Sequence, residues 1–220
     1  MPSQEINLLS SLPQTKRNVE KRSSGKDQNV IRISKEFGEE YFDGPREYGY
    51  GGYRYDGRWL PVARDIVKHF NLKSGDKVLD VGCAKGFLVK DLLAACPGLE
   101  VFGLDVSRYA LTHCEPETIG RLHLGNARDL PFPDNSFDCI LSINTLHNFQ
   151  RPDVVIAVKE IQRVCKGDRS FIQVDSYHTP EQKELFESWV LTARYHDYPK
   201  EWLKLFEEAG YTGDHYWTII

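Results

Sequence analysis

Val78-Leu79-Asp80-Val81-Gly82-Cys83-Ala84-Lys85-Gly86, VLDVGCAKG, is the stretch that decides the fold. The run from Lys77 to Val81 is short and aliphatic, so it reads as a buried parallel strand. Gly82 and Gly86 bracket three small or flexible residues, and Phe87 to Leu93 then repeats at helical spacing. Strand, glycine turn and helix make the first half of a nucleotide-binding βαβ unit. Glycine suits the turn because a Cβ there would keep a ligand off the backbone amides. A second strand runs from Glu100 to Leu104 and ends at Asp105, where a carboxylate is placed to accept from ribose hydroxyls.

A glycine turn and an acid on the second strand are shared by dinucleotide enzymes, so the charge at the turn has to discriminate. Asp80 stands two residues ahead of Gly82. A carboxylate beside a pyrophosphate would put two negative groups into one poorly solvated turn, whereas an ammonium or a sulfonium suits it well. S-adenosylmethionine carries both cations and no pyrophosphate. The turn also lacks the third glycine of the dinucleotide spacing.

These blocks resemble a class I S-adenosylmethionine-dependent methyltransferase of the small-molecule-modifying kind. The matching residues are VLDVGCAKGFL from Val78, VFGLDVS from Val101, LGNARDLPFPDNSFD from Leu124 and CILSINTLHNF from Cys139. They follow the family's order and span about a third of the chain. Ala84 departs from the pattern, since many relatives have a second turn glycine there. The resemblance implies an α/β, Rossmann-like, doubly wound and mostly parallel sheet with helices on both faces. It implies cofactor contacts from Asp80, Gly82, Cys83, Ala84 and Gly86, from Asp105 and Val106, from Asn126 and Ala127 at the adenine, and from Ser142. Asn126 has a second reading, as the cap of its own turn.

Further elements follow from periodicity and caps. Residues 29–42 have helical character, and Trp59 to Phe70 is a helix with Val62, Ile66, Val67 and Phe70 on one face. A fourth strand covers Phe137 to Leu141. Asp153 opens a helix with Pro152 just outside it, and Phe171 to Asp175 is a fifth strand. Thr179, Pro180 and Gln182 describe a capping box. A last helix stops at Gly210, and Tyr216 to Ile220 is a terminal strand. The family's sheet normally ends in two strands, one antiparallel, of which a single one is visible.

The chain divides into an N-terminal extension and lid, residues 1–58, and the domain of residues 59–220. Residues 1 to about 28 show little periodicity. Residues 1–35 carry seven bases against three acids although the whole chain has net charge −4. The basic extension reads either as a solvated arm or as one that folds over the site and meets an anionic substrate. Gly44 to Gly57 interleaves Tyr48, Tyr50, Tyr53 and Tyr55 with five glycines and with Arg46 and Arg54, and Arg58 follows. This composition reads as a ligand lid, with a surface loop held by its aromatics as the alternative.

In an open α/β sheet the ligand crevice lies beyond the carboxyl ends of the strands. The candidate catalytic groups there are His147, whose imidazole suits proton removal near neutrality, then Asp175 and His178. Arg46, Tyr50, Arg54, Arg58, Asn144 and Tyr177 are the expected substrate contacts, the arginines for a phosphate or carboxylate. The Asn- or Asp-Pro-Pro-aromatic box of amino-methylating nucleic-acid enzymes is absent, and Ser142-Ile143-Asn144-Thr145 stands in its place. The expected acceptor is therefore a small anionic metabolite or sugar-type intermediate, methylated at oxygen. Alternatives are a protein or RNA side group, a nicotinamide-dependent oxidoreductase, and a non-catalytic cofactor-binding subunit. No nucleic-acid partner is expected of an acidic chain. The five cysteines have neither zinc nor disulfide spacing, so no metal is expected, and reduced thiols point to the cytoplasm. No signal peptide and no apolar run of membrane-spanning length is read.

Overall fold

Alternate residues of the central strand face opposite cores, and this sets the layers of the molecule. The computed structural model describes residues 4–13 and 23–219. Strand β1 (Lys77–Val81) pairs in parallel with β2 (Glu100–Asp105) on one side and β4 (Cys139–Ile143) on the other. With β3 (Leu122–Leu124), β5 (Ser170–Ser176) and β6 (Asp214–Ile219) the sheet order is β3-β2-β1-β4-β5-β6, all parallel. The chain leaves β1 toward β2 and β3, then returns to β4. That reversal opens a crevice at the carboxyl ends of β1 and β4.

Val78, Val101, Leu141 and Phe171 pack with helices α3 (Trp59–His69) and α4 (Phe87–Ala95), through Val62, Ile66, Leu88 and Leu92. Their neighbours Leu79, Leu104, Ile140 and Ile172 pack with α6 (Arg151–Val164) and α8 (Pro199–Ala209), through Val158, Ile161, Trp202 and Phe206. Every residue of β4 and β5 is buried, as expected for strands covered on both faces. Burying each such aliphatic side chain stabilises the fold by about 1.5–3 kcal/mol.

Caps fix the element ends. Thr179 heads α7 (Pro180–Trp189) in a complete capping box with Gln182, and Gly210 closes α8 at φ 71°. Helix α6 begins earlier than read from sequence: Gln150 is its cap and Pro152 lies within the first turn, where its missing N–H is harmless. Strand β4 begins two residues later than expected, because Phe137 is held by Val164 through its N–H and bridges Cys165.

The extension differs most from expectation. Leu8 and Leu9 are buried against the α3 side of the sheet. The Ile6 N–H donates to the His215 carbonyl and the His215 N–H to the Gln4 carbonyl, both at 2.9 Å, so the N-terminal segment adds to the outer edge of β6. The parallel strand β6 and this segment occupy the edge that the sequence left open. Lys16, Arg17, Lys21 and Arg22 of the basic arm lie outside the described residues. The helix expected over residues 29–42 is split into α1 (Gln28–Ser34) and α2 (Glu39–Phe42), with Phe37 between them at φ 49°. Helix α5 (Arg108–Thr112) follows β2. Among the described residues no helix is long and apolar enough to cross a membrane.

Candidate functional site

The turn after β1 builds the floor of a cavity of about 1030 Å³ including its open mouth. The Gly82 and Cys83 N–H groups donate to the Leu104 carbonyl at 2.7 and 3.1 Å, which ties the turn to β2. Gly82 sits at φ 87°, and a Cβ on it would overlap the Thr145 side chain from the end of β4. Glycine is thus required on two counts, conformation and space. Ala84 is also left-handed, at φ 49°, and its N–H donates to Asp105 Oδ2 at 2.8 Å.

Asp80 and Asp105 face this cavity from adjacent strands. The Asp80 carboxyl is buried and has no hydrogen-bond partner among the described residues. Burial, reinforced by the charge of Asp105, pushes its pKa up to about 7. Burial also raises Asp105, although the N–H groups of Ser107, Ala84 and Val106 oppose the shift. An unpaired buried carboxylate in a cavity is a costly arrangement that a cationic ligand relieves. The residues present therefore fit a nucleoside carrying positive charge.

The opposite wall is aromatic. Phe37, Tyr41, Phe42, Tyr50, Tyr53 and Trp59 line the cavity from the segment ahead of and into α3. Their rings form a chain of contacts, with Tyr41 and Tyr50 5.2 Å apart, Tyr50 and Tyr53 4.2 Å apart, and Tyr53 4.5 Å from Phe87 at the head of α4. An ion pair with a buried lysine fastens the segment to the turn after β1: Lys85 Nζ lies 2.6 Å from Asp43 Oδ2 and donates to the Tyr53 carbonyl at 3.0 Å. Asp43 also accepts from the Tyr109 hydroxyl at 2.8 Å and the Tyr53 N–H at 3.1 Å. Burial pushes the Asp43 carboxyl up, but the Lys85 and Tyr109 bonds outweigh it and hold it below its ordinary value.

Of the residues proposed from sequence, Asp80, Gly82, Cys83, Ala84, Asp105, Val106, Ala127, Asn144 and Tyr50 line this cavity. Gly86 does not, but at φ 76° it launches α4 from the turn. Asn126 caps its own turn, its Oδ1 accepting from the Arg128 N–H at 3.0 Å. Ser142 is buried within β4. Arg46, Arg54 and Arg58 lie off the lining: Arg46 donates to the Gly49 and Tyr50 carbonyls, and Arg58 pairs with Asp56.

The expected catalytic trio is likewise outside the lining. His147 is buried in a 3-10 turn (Leu146–Asn148), where its Nδ1 accepts from the Asp175 N–H at 3.3 Å and lies 3.7 Å from the Asp175 carboxylate. Its carbonyl accepts from the Arg194 and Tyr195 N–H groups. His178 is exposed at the α7 cap, its N–H bonded to Gln182, and the Tyr177 hydroxyl contacts His196 in a separate aromatic cluster. His147, Asp175 and Tyr177 share one reason: each is used by the packing between β5, α7 and the 194–198 segment. Sequence reasoning missed Thr145, Asn148, Phe149 and Gly125, although they adjoin residues it named. It placed Tyr53 in the lid but left Phe37, Tyr41, Phe42 and Trp59 unassigned, which the density of rings in residues 37–59 could have flagged.

Comparison with known proteins agrees with this geometry. Residues 79–173 match the family model described as a methyltransferase domain. A demethylmenaquinone methyltransferase of Symbiobacterium thermophilum is 32% identical over 128 residues, 54% of this chain and 50% of that protein. A fatty-acid O-methyltransferase of Mycolicibacterium smegmatis is 33% identical over 113 residues, 49% and 40% of the two chains. The chain thus spans about half the length, or less, of these curated relatives. The crystal structure of the YcgJ protein from Bacillus subtilis superposes with a TM-score of 0.55 at 23% identity, covering 70% of this chain and 68% of that one. That likeness establishes the fold.

Proposed function

Residues 79–173 being a class I S-adenosylmethionine-dependent methyltransferase domain, we propose that the chain transfers a methyl group to a small acceptor with an apolar or aromatic body and an acidic oxygen. The observation that carries this reading is the unpaired Asp80 carboxyl beside Asp105 on the cavity floor, under an aromatic wall. S-adenosylmethionine, when bound, supplies a methyl group already activated on a sulfonium. Asp80 would hold positive charge, Asp105 the ribose, and the backbone at Ala127 the adenine.

The chain's own task is then alignment of the acceptor and exclusion of water. The aromatic wall supports flat or apolar contacts, and the ion pair of Lys85 with Asp43 holds that wall on the floor. No histidine or lysine is among the described lining residues. An oxygen that arrives ionised needs no base from the protein, so the lining favours a carboxylate or an acidic hydroxyl over a neutral alcohol. The names of the two relatives, one for demethylmenaquinone and one for a fatty acid, accord with an acceptor whose bulk is apolar. His147 and Asp175 serve in this reading as positioning residues for the turn that presents Thr145 and Asn148. Residues 1–58 act as extension and lid to the domain of residues 59–220. Five free thiols agree with a cytoplasmic setting.

The test is incubation with methyl-labelled S-adenosylmethionine and paired aromatic and aliphatic acids and their amides. Label in the ester of an acid supports the proposal. Labelling of amines or of RNA instead, with none of the acids modified, contradicts it.

A further inference from the structure

Two cations, Lys35 and Arg194, stand on segments that adjoin lining residues of the cavity, and a third, Lys26, is electrostatically coupled to Lys35; none of them is among the arginines that the sequence singled out. Lys35 caps the C-terminus of α1 and stands two residues before Phe37, which lines the cavity. The Arg194 N–H donates to the His147 carbonyl at 2.8 Å, and the next residue, Asn148, also lines it. Lys26, just ahead of α1, donates through Nζ to the Glu187 carbonyl of α7 at 2.5 Å. These contacts tie the start of α1 to α7, and the 194–195 segment to the turn that carries Asn148.

Among the described residues the cluster is only partly compensated, by Glu187 at Lys26. Neither the Lys35 ammonium nor the Arg194 guanidinium has a hydrogen-bond or ion-pair partner among the described residues. Burial and then the charge of Arg194 lower the Lys35 pKa. Burial and then Lys35 lower that of Lys26, with Glu187 opposing. The Glu187 carboxylate is itself shared with Lys183 at 3.8 Å. Partly desolvated like charges repel, and an anion placed among them converts that repulsion into attraction.

We propose that Lys26, Lys35 and Arg194 form a subsite, at the cavity edge marked by Phe37 and Asn148, for the carboxylate or phosphate of the methyl acceptor. The proposal rests on the reading of the cavity as a methyl-transfer site and adds where the acceptor's charge is held. It also moves the anion contact away from Arg46 and Arg58, whose guanidinium groups are engaged within their own loop.

Calorimetric titration with S-adenosylhomocysteine first tests the methyl-transfer reading by itself. The subsite is then tested, with that nucleoside present, by titrating 1-naphthoate, 1-naphthyl phosphate and neutral 1-naphthamide. At least one anion is expected to bind about tenfold more tightly than the amide, by one or two charge-assisted contacts. The advantage should shrink with salt. It should vanish in Lys35→Met/Arg194→Met, fall in the single variant Lys35→Gln, and survive in Arg54→Ala. The anion with the larger gain identifies the acceptor's acidic group. Equal binding of all three compounds, failure of both anions to bind at millimolar concentration, or an advantage that survives in Lys35→Gln overturns the subsite. So does tight binding of a short single-stranded RNA that is lost in Lys35→Gln while the naphthyl compounds remain indistinguishable.

Discussion

Lys85 and Asp43 form a 2.6 Å ion pair in which the lysine side chain is 8% exposed and the aspartate 29%. Lys85 belongs to the glycine turn after β1 and Asp43 to the aromatic segment, so one contact couples the two walls of the cavity. Removing the buried lysine leaves Asp43 partly solvated and still bonded to Tyr109 and Tyr53. Lys85→Met is expected to destabilise the chain by about 1.5 kcal/mol in denaturant titration. Hydrogen exchange should rise over residues 37–59 before it rises in β1 or β4. Replacing both partners with Lys85→Met/Asp43→Leu should recover part of the loss.

Asp80 makes the stability of the ligand-free chain depend on pH. Its folded-state pKa is raised from an ordinary 3.8 to about 7, so the folded chain holds a proton that the unfolded chain has already released. Stability therefore falls as pH rises through that window and levels off above it. Asp80→Asn should unfold at a higher temperature than the parent at pH 8 and lose the advantage near pH 4. An unchanged melting difference across that range contradicts the assignment.

The two small residues of the turn should respond oppositely. Ala84 adopts a left-handed conformation at φ 49°, so Ala84→Gly relieves strain and is expected to stabilise the chain by about 1 kcal/mol. Gly82→Ala meets the Thr145 side chain and the same backbone penalty, and should cost about 3 kcal/mol or more. Thermal unfolding of the two variants measures both.

The arginines of residues 44–58 should differ from one another. Arg46 holds the Gly49 and Tyr50 carbonyls, and Tyr50 lines the cavity. Arg46→Ala is expected to raise the acceptor KM severalfold through Tyr50, and Tyr50→Ala to do so directly. Arg54, exposed and off the lining, should be silent. Steady-state kinetics with the labelled methyl donor gives the comparison.

Features encoded within a few neighbouring residues were legible in the sequence. The VLDVGCAKG turn, the acid ending β2, the Thr179 capping box and the Gly210 stop all depend on local backbone demands, and each is where its residues place it. Features joining distant segments were not. Nothing near Glu5 announces His215 as its partner at the other end of the chain, and Leu8-Leu9 is too short a run to show periodicity. His147 looked like a base because an imidazole at a strand end is chemically apt. Its burial follows from Asp175 and the 194–195 segment, which lie far along the chain. Lys85 read as one more residue of a glycine turn, and its role became visible only with Asp43 beside it.

The most direct test of the central claim is calorimetric binding of S-adenosylhomocysteine and S-adenosylmethionine to the parent chain and to Asp80→Asn at pH 8. The account predicts that the parent binds both nucleosides and that Asp80→Asn, at least as thermally stable, loses on the order of a hundredfold in affinity for them. Equal affinity in the two proteins, or no uptake by the parent, would contradict it.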